Sequence, residues 1–401
     1  MAVDTSFPPG NGYAAFAELL ETLFVPLGLS CRRVEVPEAL WRTPEAAGAR
    51  INVIAAPAER RLPGCGIYVH TDTVPPGDGW TRPPLALARE GERLYGRGAA
   101  DMKGTLAAFY AALTAAREAG LPLAFDPVLL ACTDEEGGLY PGVRYLAEQK
   151  LIGCEQVICL NGGAAPRIWA GCFGSIDFAV TVTGHAAHSG DPGPHGVNAV
   201  EQALPIAAAL MALKEKVEAR TSAMPAPPHF GGAPLRARLT LAAIHGGAKG
   251  SALPGACRLL VNRRVMPEET MDSALAELEA AVAEGARASH ALDVATRVVG
   301  RLDPVVDPDA GGDCWPRWRR ALAWGFGWPD AAFARYGSST SSDMGYLRAA
   351  GVSGMMLGGL SRPDNHTHAA DEFTTAADIA GLARALLAYL AAASIPSGDP
   401  A

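Results

Sequence analysis

The stretch GIYVHTDTVP, at residues 66–75, decides the fold class of this 401-residue chain. It begins as an apolar run over 66–70 and then turns polar, as expected of a buried strand that feeds a loop. Two similar runs, at 126–132 and 156–160, also end in polar clusters. Between the first two runs, residues 101–118 carry apolar and alanine positions at helical spacing. This alternation of strand, polar loop and helix predicts a doubly wound α/β sheet.

From about residue 176 the pattern changes to alternating strands interleaved with two amphipathic helices. The order β-α-β-β-α-β is that of a small ferredoxin-like α+β domain. The α/β pattern resumes with an apolar run at 352–357 and a closing helix at 374–392. We therefore predict one domain inserted into another, with residues 1–175 and 303–401 forming the outer domain and residues 176–302 the insertion.

Composition narrows the possible classes of protein. Apolar residues make up 49% and charged residues 19%, which is typical of a globular chain rather than a disordered one. The net charge of -8 argues against binding to nucleic acid or to an anionic membrane, because both require a cationic surface. No secretory signal is apparent, and the most apolar stretch, 380–393, is broken by Arg384 and too short to span a bilayer. We therefore expect a cytoplasmic protein.

The eight cysteines are scattered and include no C-x-x-C pair. This spacing predicts reduced, mostly buried thiols rather than a disulfide framework. Cys154 and Cys159 could form a pair of metal ligands, but core packing is the favoured interpretation.

Five polar positions fall where the predicted strands end. Imidazole and carboxylate groups are suited to zinc and similar divalent ions, and one Asp carboxylate can bridge two ions roughly 3.5–4 Å apart. Each position alone has an ordinary alternative: a core histidine, a helix N-cap or a solvated acidic turn. Together they predict a metal centre. The positions are His70, Asp101, the pair Glu135–Glu136, Asn161 and His368.

Neighbouring carboxylates suggest a division of labour at this centre. Of the adjacent Glu135 and Glu136, one can face the metal while the other takes a proton from a polarised water. Asp72, two residues after His70, can fix the orientation of that imidazole.

The motifs HTDTVP (70–75), GRGAADMKG (96–104), TDEEGG (133–138), GHAAHSG (184–190) with GVNA (196–199), and HAADE (368–372) resemble those of the zinc-dependent aminoacylase and carboxypeptidase family. That family includes acetylornithine deacetylase, succinyl-diaminopimelate desuccinylase and glutamate carboxypeptidase. The match runs in order along nearly the whole chain. It implies a zinc-peptidase α/β domain with an inserted lid and dimerisation domain. It also implies two Zn²⁺ per chain, for which Co²⁺ or Mn²⁺ can substitute.

The resemblance also implies roles for the residues of the centre. His368 is preferred over His366 because it keeps the H-x-x-D-E spacing with Glu372. The implied roles are one metal at His70 and Asn161, a second at Glu136 and His368, Asp101 as the bridge, Asp72 as the residue that orients His70, and Glu135 as the general base.

Further residues are implied in substrate binding. His188 corresponds to a histidine that stabilises the oxyanion in a neighbouring subunit's site, with His185 and His195 as rivals; this predicts a homodimer formed through the lid. Arg264 stands where the family grips a substrate carboxylate, although an exposed strand charge beside Arg263 is the alternative. Gly358, Gly359 and Ser251 are the remaining candidates for substrate binding.

Three positions depart from the family pattern. Asn161 replaces an acidic ligand, and a neutral amide oxygen binds zinc more weakly, so the metal beside His70 is expected to be the weaker one. Ser251 stands where an asparagine is usual, and Asn262 replaces the acid of a D-x-R pattern.

The expected function is that of a metal-dependent amidohydrolase. Its substrate would be an N-acyl amino acid or small peptide that bears a free carboxylate. The alternative is a non-hydrolytic or redirected homologue, in a ligand-binding or specialised biosynthetic role, because Asn161 replaces a metal ligand.

Overall fold

The computed structural model describes residues 1–137, 140–193, 195–306 and 312–392. Within these ranges the strands, in chain order, are β1 Leu29–Val36, β2 Arg50–Pro57, β3 Gly64–His70, β4 Ala88–Glu90, β5 Arg93–Tyr95, β6 Asp126–Cys132, β7 Gln156–Cys159, β8 Arg167–Cys172, β9 Gly174–Thr183, β10 Ala187–His188, β11 Arg238–Gly246, β12 Ala252–Leu253, β13 Ala256–Val265, β14 Asp293–Leu302, β15 Val305–Val306, β16 Ala334–Ser338, β17 Gly354–Leu357 and β18 Phe373–Thr375.

Helices α3 (Lys103–Glu118) and α9 (Ala376–Leu390) begin and end within two residues of the predicted ranges 101–118 and 374–392. None of the helices in the described ranges has the length and apolar character needed to cross a bilayer. In chain order they are α1 Tyr13–Phe24, α2 Glu38–Trp41, α3 Lys103–Glu118, α4 Gly142–Glu148, α5 Ala199–Glu218, α6 Met271–Arg287, α7 Trp315–Phe326, α8 Met344–Ala349 and α9 Ala376–Leu390.

The chain divides into two compact units. Unit 1 contains a six-stranded mixed sheet in the order β1-β2-β6-β3-β7-β17. Strands β6, β3, β7 and β17 are parallel, and β1 and β2 extend this set by antiparallel pairing. The predicted α/β class with a mixed sheet is confirmed. Unit 1 consists of Met1–Trp169, Asp307–Arg335 and Tyr346–Ala401.

The central strand β6 shows why the sheet is buried on both faces. All seven of its residues are buried. Leu129 and Ala131 join the main core with helices α1, α3, α7 and α9, while the alternate residues Val128 and Leu130 point to the opposite face and are equally inaccessible. This is the continuous apolar run expected of a strand covered on both sides.

In unit 2, apart from the two-residue strands β10 and β12, the elements of residues 174–302 follow the order β9-α5-β11-β13-α6-β14, and their four-stranded antiparallel sheet has the order β11-β13-β9-β14. Both features are those of a ferredoxin-like arrangement. Unit 2 also takes in residues 336–345, where the Ser338 carbonyl oxygen accepts the Phe173 amide N–H (3.1 Å). The predicted roles of the two parts, catalytic domain and lid, remain predictions. Unit 2 consists of Ala170–Val306 and Tyr336–Gly345.

Candidate metal centre

His70 is the last residue of β3 and is 2% exposed. Its Nε2 lies 3.0 Å from Asp101 Oδ1, and its Nδ1 lies 3.1 Å from the backbone oxygen of Asp72 and 3.6 Å from the Asp72 carboxylate. The Asp72 carboxylate also accepts the backbone N–H of Glu136 at 2.8 Å. Two carboxylates therefore face the two nitrogens of this imidazole, which distinguishes it from an ordinary core histidine.

Asp101 lies on the glycine-rich segment that precedes helix α3. The N-cap of that helix is Met102, and no side chain caps it. The Asp101 carboxylate instead faces two imidazoles, with Oδ1 towards His70 and Oδ2 3.3 Å from His368 Nε2. The ordinary alternative, an N-cap role for Asp101, is therefore wrong.

Glu136 and His368 complete the cluster from two further loops. His368 Nε2 lies 3.0 and 3.1 Å from the two carboxylate oxygens of Glu136. The neighbouring candidate His366 instead packs its ring edge-on against Phe373. Donor atoms of His70, Asp101 and Glu136 all lie within 4.8 Å of one another. Two imidazoles and two carboxylates in this arrangement are a donor set that suits a divalent cation such as zinc.

The close contacts in the cluster shift the pKa values of its members strongly. Burial alone would lower the pKa of His70, but hydrogen bonds to Asp101 and Asp72 raise it well above its usual range. Hydrogen bonds to Asp101 and Glu136 raise the pKa of His368 to about 10. Burial opposes ionisation of Asp101, yet both histidines hold its pKa well below the usual value. The surrounding carboxylates therefore favour the protonated form of both imidazoles, and a bound cation would displace those protons.

Glu135 and Asn161 contact each other beside the cluster. The Asn161 side-chain Nδ2 donates to Glu135 Oε1 at 2.7 Å, and both side chains are half-buried. Because a carboxylate only accepts hydrogen bonds, the amide presents its NH₂ group to Glu135. The predicted role of Asn161 as a metal ligand remains a prediction.

Of the further candidates, His188 and Ser251 lie on neighbouring segments of unit 2. Strand β10, which ends at His188, pairs with β12, and the Ser189 amide donates to the Ser251 carbonyl oxygen (3.1 Å). His188 is exposed, and its Nδ1 accepts the Gly190 amide. Its rivals His185 and His195 are also exposed.

The two adjacent arginines of β13 point to opposite faces of its sheet. Arg263 is fully buried and pairs with Glu269 at 2.6 Å. Arg264 points to the opposite face, is partly accessible and donates to Ser341 Oγ at 2.8 Å. Asn262, on the same face as Arg264, donates to Asp177 (2.7 Å), so a neutral residue takes the place of a second acid beside Asp177.

Gly358 and Gly359 are explained by packing within unit 1. A Cβ on Gly358 would lie 2.7 Å from the Trp318 ring, and one on Gly359 would lie 2.0 Å from the Gly162 carbonyl oxygen. The close approach that requires glycine here is therefore made by the chain itself. A role of either glycine in substrate binding remains a prediction.

Sequence reasoning missed a buried ion pair that supports the centre. Glu372 and Arg97 are each 1% exposed and 2.6 Å apart. The Glu372 carboxylate also accepts the backbone N–H groups of Gly98, Ala100 and Asp101, at 2.9–3.1 Å. It thereby fixes the loop that carries Asp101 to the segment that carries His368. The HAADE and GRG motifs contain the two residues, but spacing alone does not pair them.

We expect Glu372→Gln to weaken zinc binding by about 10- to 100-fold, because residues that hold the metal ligands in place contribute on this scale. Unfolding should also become easier by about 3–5 kcal/mol, because the buried Arg97 would be left without an opposite charge. Chelator competition and thermal unfolding measure the two effects. Glu279→Gln, on the exposed side of α6, is the matched control. Equal zinc affinity in the two variants would contradict this role.

Sequence and structure comparisons identify the relatives of the chain. Residues 66–392 match the family described as peptidase family M20/M25/M40. The acetylornithine deacetylase of Erwinia tasmaniensis is 31% identical over 61% of this chain and 60% of its own length, which is less than two thirds of that protein. The acetylornithine deacetylase of Vibrio campbellii is 29% identical over 78% of this chain and 75% of its own length.

Similarity to a solved structure extends over nearly the whole chain. Human carnosine dipeptidase 1 superposes with a TM-score of 0.77, at 15% identity, over 97% of this chain and 93% of that one. At this identity the likeness supports the fold alone. The family match, in contrast, spans most of the sequence and includes every residue of the cluster. The chain therefore belongs to peptidase family M20/M25/M40, a family of metal-dependent hydrolases, as its motifs predicted.

Proposed function

We propose that this protein is a zinc-dependent amidohydrolase that cleaves an N-acyl amino acid or a small peptide with a free carboxylate. The observation that carries the proposal is the cluster of His70, Asp101, Glu136 and His368, with the carboxylate of Glu135 beside it. Two zinc ions per chain are expected, the one beside His70 being weaker if Asn161 is its ligand. Co²⁺ or Mn²⁺ can substitute.

A bound divalent cation would act as a Lewis acid that polarises the scissile carbonyl and makes a water more acidic. Glu135 accepts the proton of that water and delivers it to the leaving amine, so the carboxylate is regenerated in each turnover. The buried pair Arg97–Glu372 and the Asp72 carboxylate keep the ligand loops fixed during this exchange. Preorganised ligands cost no rearrangement at the moment of reaction.

The substrate class is supported by the relatives and by Arg264. Two relatives are acetylornithine deacetylases, whose name describes removal of an acetyl group from an amino acid. Arg264 has a planar guanidinium on an accessible face, suited to a carboxylate. We further propose a cytoplasmic homodimer formed through unit 2, with His188 stabilising the oxyanion of the partner's site.

Substrates with and without a free carboxylate test this assignment. The zinc-loaded protein should hydrolyse N-acetyl amino acids, while their carboxamides should react at least about tenfold more slowly in kcat/KM, since a charged hydrogen bond contributes about 1.5–3 kcal/mol. Arg264→Ala should erase this preference mainly through KM. Arg258→Ala, exposed on the same strand, is the matched control. An unchanged preference in Arg264→Ala would contradict the role of Arg264, whereas inertness of the wild type towards the whole panel would contradict the proposed function.

Zinc affinity should rise with pH. Metal ligation requires neutral imidazoles, and the raised pKa values of His70 and His368 mean that both carry protons at neutral pH before the cation binds. Between pH 6 and 8 we expect about a tenfold gain in affinity per pH unit for each histidine proton released. Calorimetric titration in buffers of different ionisation enthalpy counts those protons. A pH-independent affinity would contradict this electrostatic account.

One observation favours a second candidate function, in which the protein binds its ligand without hydrolysing it. Asn161 replaces an acidic residue, so the centre has one negative charge fewer than the family pattern. Inert zinc-, cobalt- and manganese-loaded protein across the panel would favour this alternative.

A further inference from the structure

We propose that Asn161 is a positioning residue whose side-chain amide holds the general base Glu135 in place. This inference rests on the proposed function for the role of Glu135. The observation behind it is the 2.7 Å hydrogen bond from Asn161 Nδ2 to Glu135 Oε1. An ionised Asp or Glu at position 161 has no proton to donate, so it could not make this bond.

The backbone that carries Asn161 is held tightly. Strand β7 ends at Cys159, and the Leu160 amide donates to the Tyr68 carbonyl oxygen (3.0 Å). On the other side of Asn161, a Cβ on Gly162 would lie 2.6 Å from the Leu357 side chain, and a Cβ on Gly359 would lie 2.0 Å from the Gly162 carbonyl oxygen. The Ser361 amide donates to the Gly162 carbonyl oxygen (3.2 Å). Asn161 therefore projects from a turn that is fixed at both ends.

The loop that carries Glu135 is fixed independently. Asp134, directly before it, has a φ of 59° and pairs with the fully buried Arg50 at 2.8 Å. Tyr13 donates its hydroxyl to the other Asp134 oxygen at 2.7 Å. On the far side, the Glu136 amide donates to Asp72. The residues on either side of Asn161 and of Glu135 are thus held by their own contacts, and the bond between the two side chains gives the Glu135 carboxylate a defined orientation.

Hydrogen-bonding capacity explains why an amide suits this position. Asp72, Asp101, Glu135 and Glu136 already place four carboxylates around two histidines. An aspartate at position 161 would bring a second acceptor-only carboxylate against Glu135, so the two side chains could not hydrogen-bond to each other. The asparagine amide instead donates a hydrogen bond across this contact. We therefore interpret the asparagine at position 161 as a residue that orients Glu135, and not as a weakened metal ligand.

The test begins with two measurements that do not depend on activity. The first is a double-mutant cycle in metal-free protein, with Asn161→Ala and Glu135→Ala made singly and together. The shift of the unfolding midpoint in the double variant should differ from the sum of the single shifts, since both changes remove one bond. The second is zinc stoichiometry and affinity, which Asn161→Ala should leave unchanged. Additive shifts, or loss of a zinc equivalent, would overturn the proposal.

Turnover then separates this inference from the proposed function. In an active wild type, Asn161→Ala should lower kcat by about 10- to 100-fold with little change in KM, and Asn161→Asp should lower it further. Higher turnover in Asn161→Asp would show that position 161 needs an acidic metal ligand. That result would overturn the inference about Asn161 but would agree with the proposed hydrolase function. If the wild type is inert, the proposed hydrolase function is wrong. The double-mutant cycle and the zinc measurements then still test whether Asn161 holds Glu135.

Discussion

Glu135→Gln should lower the turnover of an N-acyl amino acid by roughly 10²–10⁴-fold, because the water then lacks its general base. The glutamine keeps nearly the size of the side chain and still offers an oxygen to the Asn161 amide. The metal cluster is assigned to His70, Asp101, Glu136 and His368, so zinc binding should persist. Steady-state kinetics alongside elemental analysis of the same sample separates the loss of the base from the loss of the metal.

The control for this variant is Glu155→Gln. Glu155 is exposed and precedes β7 at the end opposite to Asn161, so the same chemical change is made far from the cluster. Wild-type turnover is expected for the control. Full activity in Glu135→Gln would remove the residue from the mechanism, whereas loss of zinc would show that Glu135 is itself needed for metal binding.

His188→Ala should lower turnover by about 10²–10³-fold, the usual cost of removing one oxyanion donor. If His188 acts in the partner's site, mixing this variant with inactive Glu135→Gln protein should restore activity. Random exchange makes half of the dimers mixed, and each mixed dimer has one complete site of two, so about a quarter of wild-type activity should return. The measurement is turnover after subunit exchange, with light scattering to establish the dimer.

Removal of another exposed histidine provides the comparison for this experiment. His290, beyond the end of α6 in unit 2, is exposed, and His290→Ala should behave as wild type. If the mixture stays inactive although the protein is a dimer, His188 does not act in the partner's site. It would then act in the site of its own subunit or have no role in catalysis. A monomeric protein would remove the proposed role in a neighbouring site altogether.

The sequence could predict those features that have a local signal. The apolar runs at 66–70, 126–132 and 156–160 end where their strands end, to within a residue. Polar residues at those ends come together because the strands are parallel neighbours in one sheet. Periodicity likewise located helices α5 and α6 and the strands of the four-stranded sheet of unit 2.

Contacts between distant segments left no such signal. Arg97 and Glu372 are 275 residues apart, and Arg50 and Asp134 are 84 apart, so no spacing or period links them. Before residue 64 no helix or strand was predicted, although this region supplies α1, β1 and β2. Asn161 could be read only as a weakened ligand, because its partner Glu135 lies on another loop and becomes visible only in three dimensions.

Zinc-dependent hydrolysis by the centre at His70, Asp101, Glu136 and His368 is the central claim, and a zinc titration of turnover tests it most directly. Chelator-treated protein is given increasing zinc, and release of free amino acid from an N-acetyl amino acid panel is followed with the bound zinc counted. We predict that activity is absent without zinc and rises with occupancy to saturation. A protein that binds zinc at these ligands and remains inert across the panel would contradict the claim.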